Sequence, residues 1–178
     1  MPIFLRMAAI AILLIAALCG YAASKPNTLT VRRFVMINAP SERVFALVND
    51  FHCWHQWAPQ DKDDPTMARS FSGPVNGKGA ASQWDSKGRA GKGRMLIMDS
   101  EPTRRICVQV DFLKPFEAHN RNEFVFESVG ATTNVTWTMQ GTNLFVMKLM
   151  SIFVNMDKKL GAHFEEGLQN LKAAAESQ

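Results

Sequence analysis

Cysteine is scarce in this chain: three in 178 residues, at Cys19, Cys53 and Cys107. So few thiols exclude a disulfide-stapled scaffold. Cys19 falls in an apolar run, which leaves Cys53 and Cys107 to pair in an oxidising compartment or to sit as small buried hydrophobes; free thiols are the expectation. A dense array of positive charge is also missing. The net charge is +4 and the pI near 9.1, but the basic residues are scattered rather than ranged along one helix. That argues against a nucleic-acid partner and leaves an anionic membrane surface, or plain solubility, as the reason for the excess. No repeat or low-complexity tract occurs.

Metal and phosphate motifs are incomplete. His52 and His55 flank Cys53, and imidazole and thiolate suit zinc, yet a third and fourth ligand at workable spacing are absent because His119 and His163 lie far away in sequence. Asp61, Asp63 and Asp64 lack the turn glycine and closing glutamate of a calcium loop. The stretch Gly73–Gly79, GPVNGKG, falls short of a phosphate-binding loop, as does Gly88–Gly93, and both read as tight turns between strands. No cofactor or metal is therefore expected. Nor does any acid, base or nucleophile set stand out, so no catalytic residue is assigned.

What is present begins at the amino terminus. Met7–Ala23, MAAIAILLIAALCGYAA, is an uncharged run. With Ile3, Phe4 and Leu5 it approaches the roughly 20 apolar residues that span a hydrocarbon layer, and it is also of signal-peptide length. Tyr21 interrupts an Ala-x-Ala cleavage pattern, which favours a retained anchor, and Leu18 stands where a lipoprotein site wants a small residue before Cys19. The expected organisation is residues 1–24 as a transmembrane or signal segment and residues 25–178 as one domain. Arg6 precedes the segment and Lys25, Arg32 and Arg33 follow it, so charge does not set its orientation. An export reading puts the domain outside the cytoplasm (periplasmic), anchored by one segment, or secreted if the leader is cleaved.

Within the domain, Leu29–Ile37 reads as a strand with Val31, Val35 and Ile37 on one face. Pro40 stops it, and Val44, Phe45, Leu47 and Val48 then give a short helix. Turn residues cut the next stretch into strand-length pieces: Met67–Ser72, Ala80–Asp85, Gly93–Asp99, Arg104–Phe112, Ala118–Glu127 and Thr133–Gln140. Alternation is clearest at Ile106, Val108, Val110 and Phe112, and at Val135, Trp137 and Met139. From Leu144 the period turns helical through Leu149, Phe153, Met156, Leu160, Phe164, Leu168 and Leu171. This predicts one helix from Met147 to Ala174, about 40 Å long at ~1.5 Å per residue. The fold class is α+β: a curved antiparallel sheet of about seven strands around a long C-terminal helix. A bent sheet cannot follow a straight helix everywhere, so a cavity between them is expected.

The candidate ligand-binding residues follow from that geometry. Trp54 and Trp57, three apart, project to one side and either roof the cavity entrance or close the core under the first helix. Trp84, Met95, Phe112, Phe124, Trp137 and Met156 supply apolar surface that lines or fills the space. Two polar candidates join them. Asn120 shares a strand face with Asn122, Phe124 and Phe126, and Asp157 stands beside Gly161 at the edge of the long helix's apolar stripe. Lys78, Lys87, Arg89, Lys92 and Arg94 in the turns would form a basic rim able to face anionic head groups.

Several of these stretches carry a resemblance. Val31–Asn49 with its INAP and VF elements, the Trp54/Trp57/Pro59 cluster, Asp64-Pro65, SGPVNGKGA, GRAGKGRMLI, Ala131–Gly141 (ATTNVTWTMQG) and Asn155–Lys172 (NMDKKLGAHFEEGLQNLK) resemble the START-like SRPBCC superfamily. The nearest branch is the bacterial polyketide-cyclase/dehydrase-like group, associated with lipid transport. The likeness covers nearly everything after residue 29. It implies a helix-grip domain with a deep apolar cavity, but the superfamily includes lipid and sterol carriers, hormone receptors, aromatase/cyclases and chaperone cofactors, so the fold does not select a function. The expectation is a membrane-anchored domain that binds a hydrophobic small molecule or lipid, for transport or sensing. A polyketide cyclase/dehydratase-like enzyme and a protein-interaction module are the alternatives.

Overall fold

The computed structural model describes residues 2–60, 64, 67–88, 90–114 and 117–177. Asp61, Asp63, Pro65 and Arg89, named above, lie outside the described residues. The apolar segment is a single helix, α1 (Pro2–Ser24), about 34 Å long at ~1.5 Å per residue. Ile3–Ser24 is long and apolar enough to cross a membrane.

Strand β1 (Thr28–Ile37) follows, and Pro40 ends it by opening α2 (Ser41–Asn49), whose apolar face is Val44, Phe45, Leu47 and Val48. A 3-10 helix (Phe51–Gln56) continues from α2, its first turn held by the Asp50 carboxylate, which accepts from the His52 amide. The end of α2 is closed in an uncommon way. The indole of Trp54 donates to the Val48 carbonyl and that of Trp57 to the Leu47 carbonyl, both at 3.0 Å. Two of the carbonyls that a helix C-terminus leaves without partners are thus satisfied by buried tryptophans.

Six further strands form a meander: β2 (Ala68–Ser72), β3 (Ala81–Asp85), β4 (Lys92–Glu101), β5 (Arg105–Lys114), β6 (Ala118–Val129) and β7 (Thr132–Thr142). With β1 they make one seven-stranded antiparallel sheet in the order β1-β7-β6-β5-β4-β3-β2. The GPVNGKG stretch is the β2–β3 connection, with Gly73, Gly77 and Gly79 at positive φ. At Gly73 a Cβ would overlap the Gly79 carbonyl, so both the angle and the space require glycine. Register shifts at Lys92/Gly93 and Ile97/Asp99 in β4 mark bulges, which bend a strand and raise its twist.

The C-terminal helix departs from expectation at its start. Instead of one helix from Met147 to Ala174 there are two, α3 (Phe145–Met150) and α4 (Met156–Glu176), separated by turns at 151–154. The apolar spacing runs across the break, but local hydrogen bonds override it. The Ser151 hydroxyl donates to the Lys148 carbonyl, and the Asn155 side chain accepts from the Lys158 amide as an N-cap. Phe153, counted in the buried stripe, is consequently exposed.

Helix α4 packs on β1, β7, α2 and the 3-10 helix. Its buried residues Phe164, Leu168 and Leu171 join Val31, Val35, Ile37, Trp54, Trp57, Phe124, Phe126 and Trp137 in one core. Gly167 permits the closest approach: a Cβ there would stand 3.0 Å from the Trp137 ring and 3.2 Å from Pro59.

Candidate functional site

The helix sits over one end of the sheet, and under its other side a cavity of about 960 Å³ opens. Every strand from β3 to β7 contributes an inward side chain to it. Trp84 comes from β3, Met95 from β4, Val110 and Phe112 from β5, Asn120 and Asn122 from β6, and Trp137 and Met139 from β7. Helix α4 supplies His163 and Phe164, and Trp54 closes the inner end. The mouth is polar: Gln60, Asp64, Arg69, Lys87 and Gly88. This is the size and character of a small-molecule site, an apolar hollow with a few polar groups.

The aromatic walls are fixed. Trp137 stacks on Phe164 with centroids 4.1 Å apart and planes 3° from parallel, and its indole donates to the Asn122 side-chain Oδ1 at 3.3 Å. Trp84 meets Phe112 edge to face at 5.4 Å and donates to the Ala90 carbonyl at 3.0 Å. Its ring lies directly over Gly93, where a Cβ would overlap it. At the mouth the Ser86 hydroxyl donates to Asp64, accepts from the Gly88 amide, and so ties the β3–β4 turn to the loop after the 3-10 helix.

Of the residues singled out from sequence, the structure gathers Trp54, Trp84, Met95, Phe112, Asn120 and Trp137 around this cavity. It places four elsewhere. Trp57 and Phe124 lie beneath the wall in the closed core, with less than 2 % exposure and edge-to-face contact at 6.1 Å. Met156 and Asp157 line a separate hollow of about 480 Å³ between Lys25, the start of β1, the turns at 151–154 and the start of α4. The Asp157 carboxylate is bound by Arg33 at 3.0 Å, and the same guanidinium donates to Glu165 at 2.6 Å. Arg33 lies across Gly161, whose missing side chain leaves the room that it fills. The two carboxylates raise the Arg33 pKa further above its ordinary value. The open position beside Gly161 therefore serves a clamp between β1 and α4 rather than a cavity wall.

Sequence reading missed Val110, Met139, Phe164, His163, Arg69 and Gln60. The first three stood in the alternating or helical stripes already recognised and were there to be chosen. Arg69 and Gln60 carry no periodic signal, and only the closure of the sheet brings them to the mouth. Arg33 was also legible, since it is in phase with Val31 and Val35 on the inward face of β1.

The histidine and cysteine cluster is accounted for locally. His52 contacts Asp50 at 2.7 Å and its ring lies against Phe71, while His55 contacts the His52 carbonyl at 2.6 Å. Burial, with the nearby Asp50 charge, pushes the Cys53 thiol pKa up, away from the thiolate that metals need. Cys19, Cys53 and Cys107 are free. Among the described residues no three His, Cys, Asp or Glu are grouped to hold a metal ion. Of the basic rim, Lys92 pairs with Asp85 and Arg94 with Asp111, whereas Lys87 stands at the cavity mouth.

A family model described as polyketide cyclase / dehydrase and lipid transport matches residues 28–176. The chain belongs to this family. It thereby falls in the START-like superfamily, with the helix-grip architecture described above. An uncharacterised protein from Rhizobium leguminosarum superposes with a TM-score of 0.64 at 17 % identity, over 85 % of this chain and 96 % of that one. The Aha1 dimer structure from Colwellia psychrerythraea gives 0.58 at 15 % identity, over 83 % and 96 %. The di-domain ARO/CYC BexL of the BE-7585A biosynthetic pathway gives 0.60 at 16 % identity, over 89 % of this chain and 53 % of that one. At these identities the structures share a fold with the family member described here and no more. No curated protein matches the chain. Members of the family bind hydrophobic small molecules in general.

Proposed function

We propose that this protein is a membrane-anchored carrier or sensor of a lipid-like molecule, held by α1 with its domain on the extracytoplasmic side. The observation that carries the reading is the cavity of about 960 Å³, walled chiefly by apolar side chains of β3, β4, β5 and β7, with Asn120, Asn122 and His163 as its few inner polar groups and the rest of its polar residues at the mouth. A chain-like apolar body fits the walls of Trp84, Met95, Val110, Phe112 and Met139, where burial of its surface drives binding. A polar head at the mouth keeps contact with Lys87 and Gln60. The methionines on the wall adapt to more than one ligand shape.

The test is native mass spectrometry of the full-length protein released from detergent. One lipid-like molecule per chain is expected, and it should be absent when Val110→Phe fills the wall. An empty wild-type protein that also takes up no fluorescent fatty acid or sterol overturns the reading. A polyketide cyclase or dehydratase is the second reading, favoured by one observation: His163 and Asn120 face the cavity together and could move and orient a proton. Turnover of a poly-β-keto thioester that is lost in His163→Ala would select it.

A further inference from the structure

Outside α1, exposed large apolar side chains concentrate in one short stretch. Leu144, Phe145, Val146, Met150, Phe153 and Val154 all face outward, Val146 at 62 % and Phe153 at 74 % exposure. Lys148, in their midst, is only 5 % exposed. The polarity of this stretch is thus inverted relative to a surface meant for water.

The inversion is held in place by hydrogen bonds. The Lys148 ammonium donates to the Asn27 side chain at 2.6 Å, the Lys25 ammonium donates to the Ser151 hydroxyl at 2.9 Å, and the Asn143 amide donates to the Asn27 carbonyl at 2.8 Å. Lys148 reaches into the joint between α1 and β1, Lys25 reaches from that joint to Ser151, and the apolar residues stay exposed. Helix α3 also packs against α1. Among the described side chains of α1 only Leu18, Cys19 and Ala22 are covered, all in its last turns, while residues 3–17 are bare. Residues 145–154 therefore stand at the depth of the end of α1, where a spanning helix leaves the hydrocarbon. Lys158 and Lys159, exposed in the first turn of α4, follow next in the chain, and the neighbouring Asp157 is already engaged by Arg33.

We propose that residues 144–154 form a lip inserted in the interfacial layer of the bilayer that α1 crosses, with Phe145, Val146, Met150, Phe153 and Val154 buried among acyl chains. Lys158 and Lys159 then lie at head-group level. This inference rests on α1 being a membrane helix, and it gives the domain a second point of contact that fixes its tilt. Apolar contact at two points holds the domain where a single flexible tether would let it swing.

The test is photo-crosslinking of the full chain in phosphatidylcholine/phosphatidylglycerol vesicles, with p-benzoylphenylalanine in place of Phe153, Leu13 or Phe34 in separate proteins. Phe34, exposed on the outer face of β1, is the control. Lipid adducts are expected at positions 153 and 13 and at least several-fold fewer at 34. Adducts at 13 without adducts at 153 overturn the lip and leave the anchor standing. Adducts at 153 without adducts at 13 overturn the spanning helix and, with it, the lip that rests on it. Protein adducts at 153 in place of lipid, from a partner or a second copy, overturn the lip. If the Phe153 replacement does not fold, the probe at Val146 gives the same readout.

Discussion

The two ends of the helix-sheet interface use the same strands to opposite effect. At the closed end, Gly167 lets α4 approach Trp137 and Pro59, and Trp54, Trp57 and Phe124 interlock with centroids 4.7 to 6.2 Å apart. At the open end α4 contributes only His163 and Phe164 to the lining, and the cavity lies between them and the side chains of β3, β4 and β5. The position of the helix explains the contrast. Helix α4 packs on β1, with Arg33 bridging to Asp157 and Glu165, and β1 is the sheet edge opposite β2. A core filled at both ends would hold no ligand, and one empty at both ends would not fold.

The open end has a different support behind it. On the convex face of β5, Asp111 is 7 % exposed and accepts hydrogen bonds from Arg94 at 2.9 Å, Gln109 at 2.9 Å and His119 at 2.7 Å. Burial acts to raise its pKa, but the hydrogen bonds from His119, Gln109 and Arg94 and the Arg94 charge outweigh it and lower it to about 2. Polar bonding across strands β4, β5 and β6 thus stiffens this part of the sheet.

The largest expected effect lies at the closed end. Trp57→Ala should cost about 3–5 kcal/mol, because it leaves a large hole and a carbonyl of α2 without its donor. Denaturant unfolding checks this, and a loss below about 1 kcal/mol would mean that the closed end is not the stability centre.

Next comes Asp111→Asn, expected to cost about 1.5–3 kcal/mol as hydrogen bonds to a charged acceptor are weakened. The same carboxylate gives a pH signature. Its folded pKa lies below the unfolded one, so its contribution is complete above about 4 and is lost as pH falls toward 2. Melting temperature should fall over that window in the wild type and less steeply in Asp111→Asn. Equal slopes would show that the network does not support the open end.

Val110→Phe should cost less than about 1 kcal/mol, since the cavity accepts the added ring that a packed core would resist. Ligand uptake should nonetheless drop at least tenfold, separating stability from binding. A strong destabilisation would mean that the wall is as tightly packed as the closed end.

The smallest effect belongs to Arg33→Gln. A slight fall in melting temperature is expected, shrinking as salt is raised, because the clamp is exposed and screened. Should ligand affinity change several-fold as well, the clamp sets the cavity width.

Much of this was readable from residues. The seven strands, α2 and the apolar segment announce themselves through alternation, Pro40 and uninterrupted hydrophobicity. Six cavity residues were also within reach, because Trp84, Met95, Phe112, Asn120 and Trp137 lie on inward strand faces and Trp54 follows a recognisable helix. Less legible were distinctions of depth. Trp54 and Trp57 look equivalent at three residues' separation, yet Trp54 reaches the cavity while Trp57 is sealed between α2 and Phe124. The break at Ser151–Asn155 was masked by apolar spacing that continued through it, and the caps that impose it are short-range hydrogen bonds that a periodicity ignores.

By itself the sequence determined which residues turn inward, since pleat and helical pitch convert spacing into faces without knowledge of neighbours. It also determined the apolar helix that precedes the domain. Only the tertiary structure decided which inward residues fill space and which border it. That choice depends on where a straight helix meets a bent sheet, and the packing of Phe164, Leu168 and Leu171 against β1, with Arg33 laid across Gly161, keeps the helix at one edge.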